Sequence, residues 1–165
     1  MSYPRFIRNF NVFIDGVSYF GRATEGKLPD VKIATAAHRG AGMDGPIGID
    51  MGLEGMTSEV SMAEWDPILL KKFGTIQRLV FRPAAKADDA AEATAIIATI
   101  GGLVTAHELP SLKPGENSVM KLTIDVRTYR LEVDGAEIWS IDLPNGKRVV
   151  NGVDQLASIR KAMGL

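Results

Sequence analysis

Two Asp-Gly turns between apolar segments, one long strand of period two and only short helical stretches predict a mainly β fold. Asn11 to Ile14 and Val17 to Arg22 flank Asp15-Gly16, and Arg130 to Val133 and Glu137 to Leu143 flank Asp134-Gly135. A two-residue type I′ turn needs positive φ at both positions. Glycine takes it freely and aspartate tolerates it, so each pair predicts an antiparallel hairpin. The 165 residues suffice for one domain with a real core, spanning 1–165. Hairpins, long strands and two small helices together make a β-barrel or sandwich with helical additions.

The clearest strand runs from Asn117 to Val126. Ser118, Met120, Leu122, Ile124 and Val126 fall on one face, and Asn117, Val119, Lys121, Thr123, Asp125 and Arg127 on the other. Apart from Ser118 and Val119, one face is apolar and the other polar, the pattern of a half-buried strand. At Arg127 and Thr128 the phase slips, because Tyr129, Leu131 and Val133 carry the apolar side on odd numbers. A one-residue slip exchanges the faces, so a bulge or sharp bend is expected there. Ala95 to Glu108, rich in Ile, Val and Thr, predicts another long strand, with Gly101-Gly102 as a kink. Gln77 to Arg82 reads as a shorter strand and Met56 to Met62 as a weaker one. Tyr3 to Arg8 reads as a lead-in, and Pro83 to Ala93 as a mobile loop between strands.

Two helices are punctuated by their ends. Asp66 caps the first, Pro67 opens it, Ile68 to Phe73 follow, and Gly74 stops it. The second is expected to be capped by Asn151 and to run to Met163. Val153, Leu156, Ile159 and Met163 fall on one stripe, and Arg160 and Lys161 complement the dipole at its end.

Composition narrows the function. Hydrophobic residues make up 45% and charged ones 24%, the balance of a globular chain. The net charge of -1 lacks the basic excess by which proteins grip phosphates. Without cysteine, disulfides, thiolate nucleophiles and zinc-cysteine sites are excluded. No apolar run approaches the roughly 20 residues that span a bilayer, so no membrane anchor is expected. Met1 to Arg8 lacks the apolar core of a secretory signal, and a cytoplasmic place of synthesis is expected.

Gly40-Ala41-Gly42-Met43-Asp44-Gly45 matches G-x-G-x-x-G. A dinucleotide fingerprint needs a helix after the glycines, whose N-terminus meets pyrophosphate. Pro46 biases Gly45 away from helix, and Ile47-Gly48-Ile49-Asp50-Met51-Gly52 cannot form a stable one. Ala34 to His38 is a poor buried strand. The better reading is a flexible glycine-rich loop between strands, with no cofactor. The alternative, a nucleotide-binding enzyme using the Gly40–Gly45 loop, remains for comparison. Asp44, Asp50 and Glu54 do not have the spacing of a calcium loop. His38 and His107 stand in no metal-ligand or triad pattern. Trp65 and Trp139 are expected to pack rather than to stack on bases. No catalytic or metal residue is assigned.

Three stretches together resemble the major tail tube protein family of contractile-tailed phages and related contractile bacteriocins. They are Phe10-Asn11-Val12-Phe13-Ile14-Asp15-Gly16 with Tyr19 and Gly21; Arg39-Gly40-Ala41-Gly42-Met43-Asp44-Gly45-Pro46-Ile47 continuing to Asp50-Met51-Gly52-Leu53-Glu54; and Leu131-Glu132-Val133-Asp134-Gly135 through Ile141-Asp142, then Asn151-Gly152-Val153-Asp154 and Arg160 to Leu165. They lie in the family's order over nearly the whole chain. Ile76 to Pro114 is the least similar part.

The resemblance implies a β-barrel-like domain of two packed antiparallel sheets with a flanking α-helix. It implies hexameric rings, stacked with a rotation into a hollow tube inside a contractile sheath. Sheath, baseplate and tape-measure proteins would be partners, in a virion tail assembled in the bacterial host cytoplasm. DNA would pass along the bore without specific binding, so weak or negative lining charge is expected. The polar face of Asn117 to Arg127 would be either bore lining or outer face. Arg39, Gly40, Gly42, Met43, Asp44, Gly45 and Pro46 become a candidate inter-ring loop, the glycines permitting close backbone approach. A monomeric binding module on a β scaffold is the third reading, separable by sizing and microscopy.

Overall fold

The computed structural model describes residues 3–165. Its centre is the pair β8 (Thr94–Glu108) and β9 (Met120–Val133), antiparallel over almost their full lengths. β7 (Ile76–Lys86) pairs with β8, and β1 (Phe6–Ile14) with β7. On the far side β10 (Ala136–Asp142), β11 (Lys147–Val150) and β12 (Val153–Asp154) follow β9 in order. The sheet branches at β9. Met120 to Val126 pairs with β6 (Met56–Met62), and Thr128 to Val133 pairs with β10. β3 (Ala23–Lys27) pairs with β6, and the two-residue β2 (Val17–Ser18) with the end of β1. Among the described residues these ten strands form one antiparallel network.

The phase slip of β9 is the cause of the branch. Gly101 faces Thr128 and Gly102 faces Val126, so Arg127 is the bulged residue. Met120, Leu122, Ile124 and Val126 are buried before the bulge, and Tyr129 after it. The glycines opposite are required by space. A Cβ on Gly101 would lie 2.4 Å from Thr128 Oγ1, and one on Gly102 2.1 Å from the Asp125 carbonyl oxygen. Strands β1, β6, β7, β8, β9 and β10 thereby feed one hydrophobic cluster, including Val12, Ile14, Val60, Leu79, Ile100, Ile124 and Ile141. Each fully buried aliphatic side chain contributes about 1.5–3 kcal/mol.

The network curls until β3 approaches β1 and β7 without pairing with them. A Cβ on Gly26 would lie 2.7 Å from Phe81 Cε1 and 3.3 Å from Phe10 Cε2. This seam leaves a groove of about 190 Å³, lined by Ile7, Phe10, Gly26, Leu28, Phe81 and Pro83. The fold is therefore mainly β, built of antiparallel sheet. A second, separate sheet consists of β4 (Ile33–His38) and β5 (Ile47–Leu53) alone.

Both Asp-Gly turns have the expected backbone: φ is 51° and 78° at Asp15-Gly16, and 49° and 81° at Asp134-Gly135. Several boundaries differ from expectation. After Ser18 the chain turns tightly, with Arg22 and Ala23 N–H groups donating to the Tyr19 carbonyl, so the first hairpin is short. Pro83 to Lys86 continues β7 rather than opening a loop, because β1 extends back to Phe6 and pairs there. The polar start Asn117 to Val119 lies outside β9.

The first helix, α1 (Pro67–Leu70), is a single turn. Asp66 accepts from the Ile68 N–H at 2.8 Å, and Gly74 has φ 73°. Asn151 caps no helix. With φ 50° at Asn151 and 76° at Gly152, the pair makes a third hairpin turn, joining β11 to β12. The C-terminal helix α2 (Ala157–Ala162) starts later, and Val153, Ile159 and Met163 of its expected stripe are exposed.

Candidate functional site

The glycine-rich segment 39–46 is the tip of a two-stranded ribbon. His38 pairs with Ile47, Ala37 with Gly48, Ala36 with Ile49 and Thr35 with Asp50. The loop lies between strands, as expected, but the extent of those strands carries no alternation signal because neither has a buried face. Pairs directly opposite share a face, so Ile47 and Ile49 lie together with His38 and Ala36. Ile47 is 54% exposed, Ile49 45% and the nearby Met51 65%. Among the described residues no other strand pairs with either edge of the ribbon. An isolated two-stranded hairpin is marginally stable in water, so both its edges and its apolar face favour a partner.

The tip closes on itself. The Met43 N–H donates to the Gly40 carbonyl at 3.2 Å, and the Gly40 N–H meets Met43 Sδ at 3.1 Å. Arg39 Nε donates to the Met43 carbonyl at 3.3 Å. Gly42 has φ 85°, a conformation that favours glycine. A Cβ at Gly42 or Gly45 would meet nothing within 4 Å, so the approach of another chain is unobstructed there. Arg39, Asp44 and Pro46 are exposed, and Gly40, Met43 and Gly45 half-buried. All seven residues of the candidate loop thus lie together at one end of the ribbon. The segment leads from strand to strand, so the helix N-terminus that a dinucleotide site requires does not follow the glycines.

At the other end the ribbon meets the body. Arg148, on β11 and only 7% exposed, forms an ion pair with Asp50 and donates a second bond from Nη1 at 3.4 Å. Asp50 also accepts from the Gly52 N–H at 2.9 Å. The Arg148 guanidinium and this backbone bond hold the Asp50 carboxyl below the usual carboxylate range. The partners are 98 residues apart, and no local pattern signals them. Beside the pair lies a cavity of about 460 Å³ between Ile33 and Leu53 of the ribbon and Trp139, Ile141 and Val150 of the body.

The polar face of β9 joins those of β6 and β3. Lys121 bridges to Glu59 at 3.0 Å and to Glu108 at 3.8 Å, and Glu25 and Lys27 lie beside them. Glu25, Glu59, Glu108 and the exposed Asp125 of β9, against Lys27 and Lys121, make this part of the face mixed and slightly acidic. Among the described residues, the stretch of β1 from Phe6 to Asn11 is paired on the β7 side only. Phe6 and Ile7 are exposed there.

His38 lies in the ribbon and His107 on β8. Burial lowers the His107 pKa, its ring nitrogens are enclosed without acceptors, and Phe73 packs at 5.9 Å between ring centroids. These are the surroundings of a neutral packing histidine. Trp139 packs edge-on against Tyr129 at 5.6 Å, and Trp65 lies against the core. Among the described residues no three His, Asp or Glu side chains converge as a metal site.

Comparison of the sequence with known proteins finds one family. A family model described as phage tail tube protein FII matches residues 4–164. The chain is 30% identical to the tail tube protein of Escherichia phage P2, over the whole of both chains. It is 26% identical to the major tail tube protein of Serratia phage KSP20, covering 88% of this chain and 86% of that one. A chain of the sheath-tube complex of an extracellular contractile injection system, PVC, in its extended state has the same fold. Its TM-score is 0.61 at 11% identity, covering 79% of this chain and 92% of that chain.

Proposed function

This chain belongs to the phage tail tube protein FII family, and we propose that its copies join edge to edge in hexameric rings that stack into a hollow tube. Its role is structural rather than enzymatic, and its place is the virion tail. The observation that carries the proposal is a family match over residues 4–164, on a chain whose ribbon and β1 margin stand unpaired among the described residues. Head-to-tail joining uses two different patches per copy, and a rotated stack of rings continues as a helix. The whole of 1–165 acts as one tube unit. A contractile sheath surrounds it, baseplate and tape-measure proteins meet it, and assembly takes place in the host cytoplasm.

The loop Arg39 to Pro46, at the free end of the ribbon, reaches the next ring. The polar face of β3, β6 and β9 suits a bore, because its slight acidic excess repels the phosphates of passing DNA.

The test is electron microscopy in negative stain of concentrated subunit, alone and with its baseplate. Rings and tubes are expected. Single particles under both conditions overturn the tube. Replacing Gly42 and Gly45 together by Val should abolish stacking while the subunit stays folded. Tubes at the normal yield from that variant overturn the role of the loop.

A further inference from the structure

We propose that the Asp50–Arg148 ion pair is a latch that sets the pose of the β4–β5 ribbon on the body and so presents the tip loop to the next copy. The second half rests on the proposed inter-ring role of the loop; the first half stands without it.

The ribbon shares no sheet with the body. Its base closes on itself, the Glu54 N–H donating to the Lys32 carbonyl at 2.9 Å. Among the described residues, the only hydrogen bonds that tie 33–53 to the body are those from Arg148 to Asp50. Apolar packing holds one point only: Leu53 packs against the core at the base of the ribbon, while a cavity of about 460 Å³ lies beside it, lined by Ile33, Trp139 and Val150. A ribbon over a partly empty space can tilt unless a directional contact holds it.

The pair is built to hold. Arg148 sits on β11, near one end of the sheet and opposite Ile141 of β10, and its charge is almost entirely withdrawn from water. An uncompensated buried charge is strongly unfavourable, so Arg148 retains its one carboxylate. The carboxylate stands at the point where the ribbon bends. Ile33 pairs with Leu53 and Thr35 with Asp50, so β5 advances three residues while β4 advances two. This is a bulge, and Gly52 within it has φ 102°. By accepting from the Gly52 N–H, the Asp50 side chain fixes the bend that Arg148 then fastens to the body. Neutralising Arg148 alone would need only a nearby carboxylate. A carboxylate that also bonds the bulge couples the hinge to the body.

The experiment uses the full chain with Asp50→Asn, Asp50→Ala and Arg148→Lys. Amide hydrogen exchange is followed in the unassembled subunit, and tube growth from a baseplate in parallel. Asp50→Asn removes the charge but can still accept from Gly52, whereas Asp50→Ala removes both bonds. Arg148→Lys keeps the charge without the two-pronged geometry. Exchange of the paired amides in 33–53 should quicken at least tenfold in Asp50→Asn and more in Asp50→Ala, with Arg148→Lys between wild type and Asp50→Asn. The amides of β8 and β9 should be unchanged, and tubes should grow at least tenfold more slowly.

Wild-type exchange in 33–53 of Asp50→Ala overturns the latch whatever the tubes do. Faster exchange with tubes growing at the wild-type rate overturns presentation of the loop by the latch. Tubes from the Gly42 and Gly45 valine variant, by contrast, overturn the inter-ring reading alone. Asp50 is itself half-exposed, but its loss leaves the buried Arg148 charge unpaired, so unchanged exchange in β8 and β9 is the control that the body stays folded.

Discussion

The body and the ribbon are both antiparallel β structure, but only the body completes itself. In β9, Met120, Leu122, Ile124 and Val126 alternate with polar residues and are each at most 2% exposed. In β5, Ile47 and Ile49 also alternate, with Gly48 and Asp50, yet they face solvent. The same period-two chemistry gives a core in one place and an open surface in the other. What differs is the supply of partners. β9 has strands on both sides and a core beneath, whereas β5 has β4 alone. Monomer stability should therefore reside in the body, and the ribbon should gain its stabilisation on assembly.

The largest expected effect breaks the body. Ile124 is fully buried on β9, between β6 and β8. Its replacement by Ala should cost about 2–5 kcal/mol of subunit stability, the transfer and cavity terms adding. Urea unfolding measures this as a lowered midpoint at unchanged slope. A loss below about 1 kcal/mol would show that the core does not converge on this strand.

The contrast also explains what the sequence could reveal. A strand declares itself by alternation only when one face is buried, so the bulge at Arg127 was legible from the switch of apolar parity between Val126 and Tyr129. Gly101-Gly102 was legible as a kink in the opposite strand, whereas the close approach of Thr128 and Asp125 that requires the glycines was not. Asp15-Gly16 and Asp134-Gly135 were legible because turn chemistry is local. The ribbon strands were not, since Ala34 to Ala37 and the glycines of β5 carry no burial signal. Asn151-Gly152 was ambiguous, because asparagine serves equally at a helix cap and in a positive-φ turn. The tip loop could be singled out from its residues and from the resemblance, but its place at the free end of a ribbon could not. Arg148 was invisible, as its partner is remote in the chain and found only by the folded sheet.

A second prediction sharpens the picture of a dry body. Tyr129 is 2% exposed, and burial pushes its phenol up to about 12. In the unfolded chain the ordinary tyrosine value near 10 returns. Between about pH 10 and 12 the unfolded state has therefore lost a proton that the folded state keeps. Stability should fall as pH rises through that window, on the order of 2 kcal/mol by its upper end. The contribution is intact below pH 10. Tyr129→Phe should flatten this limb, which urea midpoints across the pH series would record. An unaltered limb in the variant would place the titrating group elsewhere.

The smallest effect on the subunit is also the sharpest test of the contrast. Ile49→Thr keeps a β-branched side chain, so the strand's backbone preference is retained while its apolar contact is weakened. If the face of Ile47 and Ile49 is unoccupied until assembly, subunit stability should change by no more than about 0.5 kcal/mol, as for surface substitutions generally. Tube formation should nevertheless require a higher protein concentration, because apolar area that would be withdrawn from water between copies is reduced. Sedimentation of tubes across a concentration series measures that threshold beside the urea midpoint. A subunit loss above about 1 kcal/mol would mean that Ile49 already packs within its own chain. Equal thresholds would mean that neighbouring copies leave this face wet, and the distinction between a finished body and an unfinished ribbon would then have to rest on the tip loop alone.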